Sequence, residues 1–423
     1  MKVMKSLLLG AAAGLVATAG AQAADLPVKA KPVEYVKICP LYGAGFYYIP
    51  GTDICLRVGG YVFAEAGVKG RSAAISYPTD RDDNYTNWRS RGHVILDART
   101  QTAYGTLRSY FVGGVSVVNP TAGAPGFDVS ASVDRAFIEF AGFTAGYTES
   151  FFSFGGAYSI VSSNALAWDW VSTLAYTANL GGGVTATLAI EDAQITRSED
   201  GGRAAATAFP TQMRYGGQSV PDVVGNIRVT QAWGAAQVMA ALKEHRPVAG
   251  GGDRDWGYAV GAGIEIKTPW TGAPNNSFLL QGVWTEGAIE RTGIAGSPLA
   301  SPGLRPWGPG GASTHGWGDA YYTGAGNSYD AAEAWSVYAA YRHFWTPALR
   351  TGFAFGYNDF EAPGGSLAND FTLMQAHVST VWSPVSGLDL SLDLVWTEVD
   401  VDYNPGSRSD DLWTAWYRIR RNF

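Results

Sequence analysis

The sequence predicts an all-β chain, a sixteen-stranded antiparallel transmembrane β-barrel. Three observations carry that prediction. The first is composition: charged residues are only 16% of 423 and aromatics 13%, with 54 Gly, 22 Tyr and 15 Trp against 2 Cys. Such a chain is too aromatic and too weakly charged to stay disordered. Its glycines have no three-residue period, which excludes a collagen-like chain, and beyond the first two dozen residues no apolar run approaches the ~20 residues of a spanning helix. The second is alternation of apolar and polar residues, which hides the apolar half of a membrane strand from any average of hydropathy. The third is the rhythm of the connections, in which short turns alternate with long polar loops.

The elements follow in order. Residues 1–23 read as a secretory signal peptide, with Lys2 and Lys5 at its charged start, an apolar stretch over 7–17, and the small-x-small site Ala21-Gln22-Ala23. Its removal leaves the mature chain two charges more negative than the formal −7. That balance does not suggest a nucleic-acid partner. Residues 24–55 form an N-terminal lead. Export favours a disulfide between Cys39 and Cys55 over a metal site or a catalytic thiol, the alternative being two free buried thiols. Residues 56–423 form the barrel.

Alternation is clearest at residues 388–396, where Leu388, Leu390, Leu392, Leu394 and Trp396 share one face and Asp389, Ser391 and Asp393 the other. A sandwich strand shows the same pattern, so aromatic placement decides. Trp335 and Trp345 lie on one face with Val337, Ala339, Tyr341 and His343 between them. Ten residues apart is about 33 Å at roughly 3.3 Å per residue. At a tilt of ~45° this projects to about 23 Å, close to the ~25 Å apolar band of an outer-membrane barrel. Both rings favour the interfaces, being apolar with a polar edge. Short turns are expected at 101–104, 141–142, 181–183, 234–235, 271–276, 346–348 and 386–387. Long loops are expected at 70–87, 113–132, 148–171, 197–222, 246–255, 292–330, 362–370 and 404–411. Seven turns and eight loops join sixteen strands and put both termini on the short-turn side, the periplasm. The last strand ends on Phe423.

On residues 88–99 one face carries Arg89, Arg91, His93, Asp97 and Arg99 and the other Trp88, Val94 and Leu96. An arginine on the lipid face near mid-membrane costs about 2–4 kcal/mol, so this row must face the lumen. Arg108 and Arg135 on the next two strands share the register and complete a basic wall, with Asp97, Asp134 and Glu139 available as structural ion-pair partners. No metal-ligand spacing joins the five histidines, and no nucleophile-elbow or zinc-protease motif is present. An enzyme, a cofactor and a metal are therefore not expected.

The residues Tyr35-Val36-Lys37-Ile38-Cys39, Tyr42-Gly43-Ala44-Gly45-Phe46-Tyr47-Tyr48-Ile49-Pro50-Gly51-Thr52-Asp53-Ile54-Cys55, Leu96-Asp97-Ala98-Arg99-Thr100-Gln101-Thr102 and Arg421-Asn422-Phe423 carry a resemblance. With Phe140-Ala141-Gly142-Phe143 and Ser150-Phe151-Phe152 they make the chain similar to alphaproteobacterial porins of the Brucella/Rhizobiales type. The resemblance implies a homotrimer in the cell outer membrane, among lipid and lipopolysaccharide, passing ions and small hydrophilic solutes. It also implies that the third long loop, 148–171, folds inward as a constriction. The rings Phe151, Phe152, Trp168 and Trp170 would be a poor choice for a solvated loop. Its carboxylates Glu149 and Asp169 are expected to face Arg89, Arg91, Arg108 and Arg135 across the pore. The outward residues Val58, Gly60, Val62, Ala64 and Ala66 suit packing against a neighbouring barrel. A general diffusion channel is the leading function; a substrate-selective channel, lined by the aromatic loop 302–322, and a purely structural barrel are the alternatives.

Overall fold

The computed structural model describes residues 37–70, 85–119, 126–160, 165–192, 218–246, 254–294, 318–322, 329–364, 370–402 and 406–423. The expected signal peptide, the expected lead up to residue 36 and most of the loop 302–322 lie outside the described residues. A short strand β1 (Tyr47–Tyr48) precedes β2 (Cys55–Lys69), β3 (Thr86–Thr102), β4 (Gly105–Val118), β5 (Asp128–Phe140) and β6 (Phe143–Glu149). Next come β7 (Trp170–Gly181), β8 (Val184–Glu191), β9 (Asp222–Gln231), β10 (Gly234–His245), β11 (Asp255–Lys267) and β12 (Ser277–Glu286). A loop hairpin of β13 (Ala320–Tyr322) and β14 (Tyr329–Ala331) leads to β15 (Glu333–Thr346), β16 (Leu349–Glu361), β17 (Asp370–Val385), β18 (Leu388–Asp402) and β19 (Ser407–Asn422).

Each barrel strand pairs antiparallel with its neighbour, and β19 pairs with β2. Setting aside β1, a short strand that pairs with β2, and the loop hairpin, sixteen strands close the ring. Closure matters because an open sheet edge in hydrocarbon leaves backbone groups without partners. The last residue takes part: the Phe423 N–H donates to the Gly60 carbonyl at 3.0 Å and the Gly60 N–H returns a bond to Phe423 at 2.9 Å.

The period of two sets the two faces. On β3, Trp88, Val94 and Leu96 are exposed on the outside while His93 and Asp97 are buried inside. On β15, Trp335 and Trp345 point out and Ser336, Tyr338 and Ala340 point in. Exposed rings cluster at two heights: Trp88, Trp256 and Trp335 near the long-loop end, and Phe143, Trp345 and Trp382 near the short-turn end. These are the interfacial girdles expected of a membrane barrel.

Several boundaries differ from the sequence reading, including the start of β19 at Ser407 inside the expected loop 404–411. β4 and β5 extend through residues 113–118 and 128–132, read above as loop. A Cβ on Gly114 would meet the Gly92 carbonyl and the His93 ring, so this glycine serves close packing inside the sheet. The turn expected at 234–235 lies between Gln231 and Gly234 instead.

Cys39 and Cys55 are joined, with Cα atoms 5.9 Å apart. The bridge and Phe46 form a small core flanked by Tyr42 and Tyr48. Arg57 and Arg99 lie over the Phe46 ring at 5.2 and 5.0 Å, which fixes the lead against the inside of β2 and β3 at the short-turn end.

Candidate functional site

The barrel interior is divided between a basic wall and an inward loop. The wall begins on β2 and β3, where odd-numbered residues face the lumen. Asp97 accepts from Arg99 at 2.8 Å and Arg108 at 3.1 Å, with Arg57 at 3.5 Å. Glu65 lies between Arg89 on β3 and Arg418 on β19, at 2.5 and 2.6 Å. These two carboxylates are 0% and 2% exposed, whereas the arginines they hold keep 15–44%. The negative charges therefore sit behind and the guanidinium groups in front. One carboxylate serves three arginines and the other two, so guanidinium groups outnumber acids around this pair, while Glu139, 2.9 Å from Arg108, and Asp134 stay partly exposed on the same face. Arg91 is anchored by a neutral group, donating to Ser116 Oγ at 2.7 Å.

Arg135 reaches the lumen by a local irregularity. The β4–β5 register shifts between Val112 and Gly113, so that Val112 pairs with Arg135 but Gly113 with Val133. The extra residue is Asp134. A bulge of this kind turns two consecutive side chains to one face, and both Asp134 and Arg135 make contacts inside the barrel. Arg135 lies over the Trp170 ring at 4.5 Å and 3.8 Å from Glu149. Asp134 is 3.0 Å from His93 Nδ1, and Ser132 Oγ is 3.0 Å from Nε2. The order Ser–His–Asp is that of a hydrolase triad, but the His93 side chain is 0% exposed and Tyr61 Oη occupies the same Nδ1 at 2.9 Å. No solute reaches that imidazole; the network ties β2, β3 and β5 together.

The third long loop leaves the wall at mid-height because β6 has only 7 residues. It then runs along the inside of the opposite wall. Phe152 and Phe154, each 1% exposed, pack with Leu166 on Ala175, Val224, Met239, Leu279 and Val283. These apolar residues occupy lumen-facing positions, where water would otherwise be. Burial of the two phenylalanines contributes about 1.5–3 kcal/mol each. Gly263 and Gly352 make room: a Cβ at the first would meet the Phe154 ring and at the second the Tyr158 carbonyl. Wall amides hold the loop backbone. Asn226 donates to Phe151 O at 2.6 Å, Gln237 to Ser153 O at 3.0 Å, and Gln281 accepts from Ala167 N at 3.0 Å. At the far end Tyr158 donates to Glu265 at 2.6 Å, Arg342 covers its ring at 4.3 Å, and Arg418 donates to Ile160 O at 3.3 Å.

The base of the loop is fixed by an internal ion cluster. Arg291, in a short 3-10 turn at Ile289–Thr292, is fully buried. It donates to Ser150 Oγ at 2.8 Å and to Glu191 and Asp222 at 3.1 Å. Burial opposes its charge, but Glu191, Asp222 and Asp169 outweigh this and hold the group above the usual arginine range. Asp169, at the loop's C-terminal end, has its carboxyl pushed up to about 6 by burial, with Arg291 opposing and Glu191 adding to the shift. The folded chain thus binds this proton more tightly than the unfolded one, whose value is near 3.8. Stability then rises as pH falls through the window between the two values. Asp169→Asn is expected to melt above the parent at pH 7.5, with the gap closing as pH approaches 4. Parallel melting curves with a constant gap would contradict this.

The expected apposition of acidic loop and basic wall is corrected by these positions. Glu149 sits beside Arg135 on the adjacent strand, not across the lumen. Asp169 lies with the Arg291 cluster. Residues 150–168 contain no acid at all. Of the expected wall, Arg89 and Arg91 on β3, Arg108 on β4 and Arg135 on β5 lie on one face of three neighbouring strands. The sequence reading missed Arg418 and Arg420, although their alternation with the outward Tyr417 and Ile419 was available as a signal. It also missed Arg342 and Arg350. Arg291 had no signal, being one charge in an irregular loop.

A family model described as the porin subfamily matches residues 25–419. Porin Omp2b of Brucella melitensis biotype 1 is 35% identical over 245 residues, which are 55% of this chain and 64% of that protein. Porin Omp2b of Brucella abortus (strain 2308) is 34% identical over the same shares. The matched region spans 64% of the length of these curated relatives. The outer membrane channel DcaP of Acinetobacter baumannii has the same fold, with a TM-score of 0.65 at 16% identity over 89% of this chain and 99% of that one. An anion-selective porin from Comamonas acidovorans follows at 0.50 and 11%, over 88% and 100%. With a closed barrel, two aromatic girdles and a family match over nearly its whole length, the chain belongs to the porin subfamily and is a protein of the outer membrane.

Proposed function

We propose that the chain forms a water-filled channel for passive diffusion of ions and small hydrophilic solutes, narrowed by the inward loop and lined by arginines. The observation that carries this reading is the inversion of the barrel's faces: apolar residues and girdles outside, guanidinium groups and hydroxyls inside. Cavities of about 680 and 320 Å³ flank the loop, the first bounded by Thr144, Thr187 and Arg228 and the second by Arg350 and Ser379. The loop narrows the lumen between them.

The channel assembles as a homotrimer, with lipid and lipopolysaccharide around it and the short turns toward the periplasm. Val58 and Val62 are exposed on the outside of β2, in line with Gly60, Ala64 and Ala66. Small side chains let a neighbouring barrel approach closely. In planar bilayers the protein should give a large ohmic conductance in three equal steps. Absence of conductance would remove the channel reading, and single-step conductance together with monomer-only crosslinking would remove the trimer.

A further inference from the structure

The end of the inward loop borders a second basic cluster, on the strands that close the barrel. Arg342 on β15, Arg350 on β16, and Arg418 and Arg420 on β19 line the cavity of about 320 Å³ between the loop and the wall. Asp389 is the one carboxylate among the residues bordering it. The loop contributes Tyr158, Ser159 and Trp168 from the other side, and no charge.

Each arginine is held in place, but their charges are unequally compensated. Arg418 is paired with the buried Glu65, which Arg89 shares. Arg342 is 4.0 Å from Glu265, whose carboxylate also accepts from Tyr158. Arg350 is 3.6 Å from Asp389 and donates to Ser383 at 3.3 Å. Arg420 donates its Nε–H to the neutral Asn422 at 2.8 Å and lies over the Tyr61 ring at 4.0 Å; among the described residues it has no ion-pair partner. Two guanidinium groups, Arg350 and Arg420, thus face one cavity around a single carboxylate. A planar, permanently charged fork of this kind matches carboxylate and phosphate oxygens. The opposing loop supplies hydroxyls and rings instead of competing acids.

Resting on the channel reading above, we infer that this cavity is a binding subsite for small organic dianions, held between Arg350 and Arg420 on the wall and the Tyr158–Trp168 side of the loop. Carboxylate and phosphate monoester groups share the required chemistry. The subsite makes the channel selective among hydrophilic solutes of equal size. Dianions dwell at the loop, while neutral solutes pass without stopping.

The test uses the purified protein in planar bilayers at pH 7, with succinate as probe and succinamide as its uncharged counterpart. Current in KCl alone reads the channel, and its reduction by the probe reads the subsite. Succinate should reduce the wild-type current in a dose-dependent way at millimolar levels, and succinamide should not. In the Arg350→Gln/Arg420→Gln double variant the half-blocking concentration should rise at least tenfold. Lys267→Gln, which removes an exposed cation at the short-turn end of β11, should leave it within twofold. If the double variant does not assemble, the two single variants carry the comparison. Each leaves the strand ladder intact, and each should weaken block several-fold. Equal block in wild type and variants, or block by succinamide, would overturn the subsite while leaving the channel standing. No current in KCl would overturn both.

Discussion

Replacing Arg291 by leucine is expected to raise single-channel conductance several-fold and to admit larger solutes. Arg291 is fully buried and joins Ser150, at the start of the inward loop, to Glu191 and Asp222 on the wall. Its removal leaves two buried carboxylates, each 0–1% exposed, without their shared cation. Breaking a buried pair by deleting one partner costs about 3–5 kcal/mol. The barrel itself rests on a closed backbone ladder that the substitution does not touch. The strain therefore falls on the loop, the part of the lumen held by side chains alone, and local opening is the cheapest relief. Adding Glu191→Gln and Asp222→Asn to the same variant removes the unpaired charges and should return conductance toward the parent value. Unchanged conductance in Arg291→Leu, with normal trimers, would mean that Phe152 and Phe154 hold the loop without help.

Neutralising the wall should move ion selectivity. Arg108→Gln/Arg135→Gln is expected to lower the chloride-to-potassium permeability ratio several-fold at 0.1 M salt. Arg108 is one of three arginines around Asp97, so its loss leaves that carboxylate paired with Arg99 and near Arg57. Glu139, half-exposed, loses its partner and adds a free negative charge to the lumen. The effect should nearly vanish at 1 M, where the screening length drops from about 10 Å to about 3 Å. Glu149→Gln should shift the ratio the other way by a smaller amount, because Arg135 already screens that carboxylate from the adjacent strand. Reversal potentials that do not move in either variant would place these charges outside the ion path.

Much of the barrel was legible because lipid imposes a strict period. The row Arg89, Arg91, His93, Asp97 and Arg99 has only one tolerable direction in a membrane, and the structure has it facing in. The same argument applied to Arg418 and Arg420 would have extended the wall across the barrel closure. The apolar rings of the inward loop also told against a solvated course. What sequence alternation could not show was anything that breaks alternation. Asp134 is out of phase with the inward Arg135 and Glu139, and only the bulge between Val112 and Gly113 brings both Asp134 and Arg135 inside. Leu279 and Val283 sit at lumen-facing positions that the barrel pattern reserves for polar groups, and they make sense only once Phe152 and Phe154 lie on them. The Arg291 cluster joins residues from four separate segments, and no local pattern marks such a meeting.

The lumen is bounded by guanidinium groups with Glu65 and Asp97 behind them and faced by a loop segment, residues 150–168, without acids. The zero-current potential of the wild-type channel in a tenfold KCl gradient at low salt and pH 7 tests this most directly. The arrangement of Arg89, Arg99, Arg108 and Arg418 in front of Glu65 and Asp97, with Arg420 held only by Asn422 and the Tyr61 ring, predicts chloride preference that fades as both salt concentrations are raised together. A potassium preference, or a potential independent of ionic strength, would contradict it.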